Sequence, residues 1–208
     1  MYETEAEQLQ RLKDLWKAYG IPVVTGIVLG GLVLMGWRYW LSYQNEVRAT
    51  ASQYFEQMQH SADQNPVDVD EAAAILIDNF SKTPYAELAE LKLAQKAMQA
   101  QKYDEASGHL KQLIAHTTDK LLIQMATGRL ALVLMSEQKW DEALTLLDST
   151  PHEDYVAVFE WLKGDILVAK QDFKGAKAAY DKAFAALLPE NGLKQLLQIK
   201  IDDLGDLS

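Results

Sequence analysis

Between Ala18 and Trp37 the chain runs for 20 residues without a charge, AYGIPVVTGIVLGGLVLMGW. In hydrocarbon such a run can satisfy its backbone only as a helix. At 1.5 Å per residue it would cover roughly 30 Å, about one hydrocarbon thickness. A core helix of a soluble protein would carry a polar face, and none is visible. Trp16, Lys17 and Tyr19 flank one end, and Trp37, Arg38, Tyr39 and Trp40 the other. These are residue types that settle in the headgroup layer. A cleaved signal would be shorter and would lead into small residues. Here the run ends in bulky aromatics, and the first A-x-A match, Ala49–Thr50–Ala51, lies well downstream. The expectation is an uncleaved anchor over 18–40, a short tail over 1–17 and one larger domain over 41–208.

The tail side carries Arg11, Lys13 and Lys17. The far side carries Arg38 and Arg48 and then no base until Lys82. This bias of one residue places the tail in the cytoplasm and the large domain outside. Within the span, Gly26 and Gly30 form a GxxxG pattern, extended by Gly31 and Gly36, that allows a second membrane helix to approach closely.

Charge bears on the larger part. Residues 1–48 hold five bases and five acids, which leaves 15 of the 20 bases and 25 of the 30 acids in residues 49–208. A domain of that balance repels a phosphate backbone, so nucleic acid is not an expected partner. The chain has no cysteine, which excludes disulfides, thiolate metal sites and cysteine nucleophiles.

Beyond the anchor the apolar residues recur at helical spacing, as in Leu88, Leu91, Ala94 and Met98. Helices are predicted near 41–62, 68–80, 84–100, 103–116, 119–137, 140–149, 152–170, 173–187 and 190–204. Thr83 before Pro84, the Thr150–Glu153 capping box, Asp68–Glu71 and Asp172 serve as starts, and Pro189 with Gly192 as a late break. Short connections make neighbours antiparallel.

A repeat underlies the pattern: QKYDEA from Gln101, QKWDEA from Gln138 and QDFKGA from Gln171. Four residues after each final alanine stands Leu110, Leu147 or Tyr180. The spacings of 37 and 33 residues, read from these starts, bracket the tetratricopeptide period. In the third copy Gly164, Leu167, Phe173, Ala176, Tyr180 and Ala183 fall at the tetratricopeptide offsets, with Pro189 one residue late. Ala94 and Ala131 replace the glycine in the first two. The fold class expected is all-α: one transmembrane helix, then an α-solenoid of tetratricopeptide-like pairs with a C-terminal capping helix. Residues 41–80 could supply one more divergent pair.

No catalytic, cofactor-binding or metal-binding residues are expected. His60, His109, His116 and His152 form no ligand motif and read as surface histidines. The carboxylate pairs Asp104–Glu105, Asp141–Glu142 and Asp202–Asp203 read as solvated; two of them start helices. No nucleophile elbow, Walker loop or dinucleotide fingerprint is present. The chain reads as a non-enzyme.

Tetratricopeptide stacks bind mainly on the concave face, lined by the first helix of each pair. Carried over copy by copy, that face comprises Leu88, Leu91, Gln95 and Met98; then Met125, Leu132 and Met135; then Val158, Trp161, Asp165 and Val168. Three of the six methionines fall in the set, and flexible thioethers suit varied apolar partners.

As a whole the chain resembles the YfgM family of ancillary SecYEG translocon subunits. The resemblance lies in GIVLGGLVLMGWRYW running into Leu41–Gln44, then Tyr85–Ala94, Gly128–Ala131, Leu162–Asp165 and Gln198–Ile201. It implies a bacterial inner-membrane protein with its large domain in the periplasm. Such a protein would associate with SecYEG and with a PpiD-type periplasmic chaperone, and would assist nascent secreted proteins. It implies no catalytic residues, and no cofactor is expected. Two other readings are a structural adaptor that assembles an envelope complex without touching clients, and a cytoplasm-facing regulator of inverted topology.

Overall fold

In the computed structural model, residues 5–61, 66–188 and 190–205 are described. They form helices α1 (Glu5–Ser61), α2 (Pro66–Asn79), α3 (Pro84–Gln99), α4 (Tyr103–His116), α5 (Lys120–Ser136), α6 (Trp140–Ser149), α7 (Val156–Ala169), α8 (Phe173–Ala186) and α9 (Leu193–Gly205). No strand occurs among the described residues. The chain divides into two compact units, Met1–Thr50 and Ala51–Ser208.

In the first unit, the segment of α1 from Tyr19 onward is long and apolar enough to cross a membrane. Many of its large side chains are exposed, including Ile21, Ile27, Leu32, Val33 and Met35. Pro22 lies inside the helix, as membrane helices tolerate. Space is open where a Cβ would stand on Gly26, Gly30, Gly31 and Gly36. The sequence divides an anchor at 40 from a helix over 41–62, whereas the structure has one helix to Ser61. No proline or glycine follows Gly36 in it, so nothing interrupts the ladder.

In the second unit successive helices pack on one another: α2 on α3, then the pairs α3 with α4, α5 with α6 and α7 with α8, followed by α9. Ala51 and Met58 pack against Val69, Ala72, Ala73 and Leu76 of α2 and Ala89 of α3. Of the residues 41–80 considered for a divergent pair, those from Ala51 onward join this cluster together with α3. The core continues through Leu91, Ala94, Leu110, Leu113, Leu130, Ala131, Leu147, Phe159 and Ile166. It ends in Ala176, Tyr180, Ala183, Leu197 and Leu204. The buried side chains thus form three clusters along the stack of helix pairs.

The repeat motif is one backbone device used three times. Gln101, Gln138 and Gln171 adopt φ of 58°, 59° and 63°. After each, the next amide donates to the carbonyl five residues back: Lys102 to Ala97 at 2.8 Å, Lys139 to Leu134 at 2.9 Å, Asp172 to Leu167 at 2.9 Å. The glutamine amide itself donates to Met98, Met135 or Val168. This is the Schellman closure, here with glutamine in the left-handed position that glycine fills at lower cost. The aromatic that follows, Tyr103, Trp140 or Phe173, opens the second helix and packs partly buried against the core. Ala106, Ala143 and Ala176 are fully buried.

Several starts differ from expectation. α2 begins at Pro66, so Asp68 and Asp70 are inside it. The Thr150–Glu153 capping box does not form: Thr150 ends α6, its hydroxyl donates to the Leu146 carbonyl at 2.9 Å, and α7 begins only at Val156. Pro151 directs Thr150 into extended backbone, and there the hydroxyl finds the preceding helix first. Thr83 does precede Pro84 at the N-cap, but its hydroxyl donates to the Phe80 carbonyl at 2.7 Å. Asp172 caps α8 through the Gly175 amide, and Asp119 caps α5 through the amides of Leu121 and Leu122. Pro189 lies outside the described residues; α8 ends at Ala186 and α9 starts at Leu193, where Asn191 accepts from the Leu193 amide at 3.0 Å.

Candidate functional site: the concave face

Among the described residues of α3 to α8, the exposed large hydrophobics are Leu88, Leu121, Leu132 and Val158. All four are on α3, α5 or α7, the first helices of their pairs; α4, α6 and α8 have none. Leu88 is 39% exposed, Leu132 44% and Val158 39%. An apolar strip thus lies along the helices that line the inner face of a tetratricopeptide stack.

Leu91, Gln95, Met98 and Leu132 of the expected set meet around one cavity of about 240 Å³, completed by Ala94, Leu110, Val133 and Arg129. Leu91 is largely buried at its floor. Gln95 is exposed and Met98 half-buried. Met125 and Met135 are half-buried and pack on the central core. At Gly128 α5 faces α7 with room for a Cβ, which would stand in ordinary contact 3.8 Å from Leu162 and Phe159 and 3.9 Å from Val158.

The third copy is occupied differently. Asp165 accepts the Tyr180 hydroxyl at 2.5 Å, the Lys200 ammonium at 2.7 Å and the Trp161 indole N–H at 3.0 Å. Trp161 and Val168 pack against the cluster that holds Leu197 and Leu204 of α9. The capping helix therefore engages Trp161, Asp165 and Val168 and leaves Val158 outside. Burial, then the bond to Asp165, raises the Tyr180 pKa well above the usual tyrosine range.

Two further charged groups show how the unit treats buried polarity. Glu90 and Glu160 are each largely buried. Glu90 meets His109 Nδ1 at 2.6 Å. Glu160 accepts from Lys163 at 3.0 Å, and Lys163 also reaches Asp148 at 2.7 Å. Burial lowers the Lys163 pKa, but the two carboxylates more than offset this and the net shift is upward. His109 is thus a partner of a buried carboxylate and not a bare surface residue, and His152 stacks on Phe159 at 4.7 Å. A second cavity, about 520 Å³ between α2, α3 and α4, mixes apolar residues such as Ile77 and Leu93 with charged ones. Most of its charged groups meet one another: Lys96 and Asp70, Lys102 and Glu105, His109 and Glu90.

Arg129 is the contributor that the sequence reading passes over. It is exposed, lines the concave cavity, and has no ion-pair or hydrogen-bond partner among the described residues. The available signal was its spacing: Met125, Arg129 and Leu132 stand at i, i+4 and i+7, one face of a helix.

Comparison with known proteins accounts for this architecture. A family profile described as a tetratricopeptide repeat-like domain matches residues 13–206. The ancillary SecYEG translocon subunit of Escherichia coli (strain K12) is 30% identical over 98% of this chain and 98% of its own. The protein of the same name from Haemophilus influenzae is 34% identical over 88% of this chain and 90% of its own. The chain belongs to the ancillary SecYEG translocon subunit family. A third member, from Neisseria gonorrhoeae, is 28% identical over 96% of this chain and 97% of its own. Family likeness therefore spans the apolar segment and the repeats together. No solved structure matches the chain.

Proposed function

We propose that this protein is a membrane-anchored, non-enzymatic accessory of the SecYEG translocon that holds apolar segments of secreted polypeptides as they emerge. The observation that carries this reading is the apolar strip of Leu88, Leu132 and Val158 on the first helices of the pairs, in a chain whose full-length relatives are named for the translocon. The anchor over 18–40 places the domain over 41–208 near the channel. Weak apolar contacts then act at high effective concentration. With Arg11, Lys13 and Lys17 on the tail side, the tail is cytoplasmic and the domain periplasmic. The membrane is then the bacterial inner membrane, and a PpiD-type chaperone is the expected co-worker that receives the segments. Gly26 and Gly30 are the contact through which the anchor meets a second membrane helix.

The test is gentle detergent purification of the tagged full-length protein from its own membranes. Recovery of SecY with the PpiD-type chaperone supports the accessory role. Recovery of a single unrelated envelope protein in fixed ratio would instead support a structural adaptor. A C-terminal alkaline phosphatase fusion reads the orientation independently: an inactive fusion would place the domain in the cytoplasm and overturn the reading.

A further inference from the structure

The concave cavity between α3 and α5 combines an apolar lining with one cation. Leu91, Met98, Leu132 and Val133 offer hydrocarbon and thioether, Gln95 offers an amide, and Arg129 offers a guanidinium. Both lysines that line the larger cavity on α2, α3 and α4 already have carboxylate partners within the protein, Lys96 with Asp70 and Lys102 with Glu105. On α7, Asp165 is neutralised by Lys200. Arg129 has no such counterpart among the described residues, although residues 49–208 carry ten more acids than bases, the whole net charge of the chain. An arginine beside an apolar surface in so acidic a domain is complementary to a carboxylate brought from outside.

We infer that the α3–α5 groove binds an apolar polypeptide segment carrying an acidic side chain, whose carboxylate pairs with Arg129. Leu132 and Met98 hold the flanking apolar residues, and the planar guanidinium takes the carboxylate in a two-bonded fork. A single cation selects an isolated acid among apolar residues. Acid-rich segments are disfavoured by the surrounding negative charge, and a chain terminus would call for a larger basic cluster. The inference rests on the proposed holding of polypeptide at the concave face, and deepens it by naming what is selected.

The test uses the full-length protein in detergent and three short fluorescent peptides, rich in Leu and Val, that differ only in a central Glu, Gln or Lys. The protein should bind the Glu peptide about tenfold more tightly than the Gln peptide, and the ratio should shrink as salt rises. Arg129→Gln should bring the two affinities together, and Arg129→Glu should turn the preference toward the Lys peptide. Equal binding of the Glu and Gln peptides, still abolished by Leu132→Asp, would overturn the inference and leave the holding function standing. A Glu preference that survives Arg129→Gln would also overturn it. Failure to bind any of the three would remove both the inference and the holding function. Sedimentation without peptide tests a second copy as occupant: a dimer that Leu132→Asp dissociates would overturn the inference. The Arg129 substitutions are on an exposed side chain, and circular dichroism checks that the helices persist.

Discussion

The first helices of the second and third repeats carry the same kind of residue to the same face, and the chain uses them in opposite ways. On α5, Leu132 and Arg129 stay exposed beside an open cavity. On α7, Trp161, Asp165 and Val168 are engaged by the cluster around α9 and by Lys200. Interior packing differs in parallel. A methyl group on Gly164 would lie 2.3 and 2.4 Å from the Tyr180 ring, so glycine is what lets that tyrosine fill the space between α7 and α8. In the first two copies the equivalent pairs are Ala94 with Leu110 and Ala131 with Leu147, all buried. A larger residue on the first helix goes with a smaller one on the second, as constant packing density requires. The lesson is that the third copy is the structural end of the stack, where a polar hub turns the first helix's face to internal contacts.

The comparison can be broken most directly at α9. Leu197 is fully buried, so Leu197→Ala should cost about 3 kcal/mol in chemical denaturation. Leu132→Asp, on the open face, should change stability by no more than about 0.5 kcal/mol. A large loss at Leu132 would mean that the face is part of the core.

Gly164→Ala should destabilise by about 2 kcal/mol, because the buried ring must shift. Adding Tyr180→Leu recreates the alanine–leucine pair of the other copies and should recover part of that loss. A double-mutant cycle with no coupling would refute the volume argument.

Tyr180→Phe isolates the hub. It leaves Asp165 with Lys200 and Trp161 and should cost about 1 kcal/mol near neutral pH. Tyr180 ionises above its ordinary value of 10.0 when folded. Its contribution is therefore complete below that value and declines as pH rises through the folded one. Denaturation midpoints should fall in alkali more steeply for the wild type than for Tyr180→Phe. Parallel declines would place the alkaline sensitivity elsewhere.

The smallest effect concerns what the copies share. Gln138→Gly relieves a left-handed non-glycine residue and should stabilise by about 0.5 kcal/mol, read as a higher melting temperature. A loss would mean that the glutamine side chain contributes more than its backbone costs.

Most of the fold could be read from the chain because it is local. The three Gln-x-aromatic turns, the buried alanines after them and the helical spacing of Leu88, Leu91 and Ala94 are each set within a few residues. The family resemblance likewise pointed to the proteins that the comparisons returned. The features that escaped are non-local or competitive. Lys200 reaches Asp165 across 35 residues, and His109 reaches Glu90 across 19; periodicity carries no such information. Thr150 had two partners to choose from and took the preceding helix. For the groove, apolar spacing brought four of its residues together but passed over Arg129, since a search for apolar positions steps past a cation on the same face.

The central claim is that clients meet the first helices of the open repeats. A photoreactive amino acid placed at Leu88, Leu132 or Lys177 of the full-length protein, in membranes engaged in secretion, tests it most directly. Lys177 is an exposed position on α8, a second helix. The account predicts crosslinks to emerging secreted chains from positions 88 and 132 and none from 177. Crosslinks from 177 alone, or none from 88 and 132 while SecY still copurifies, would contradict it.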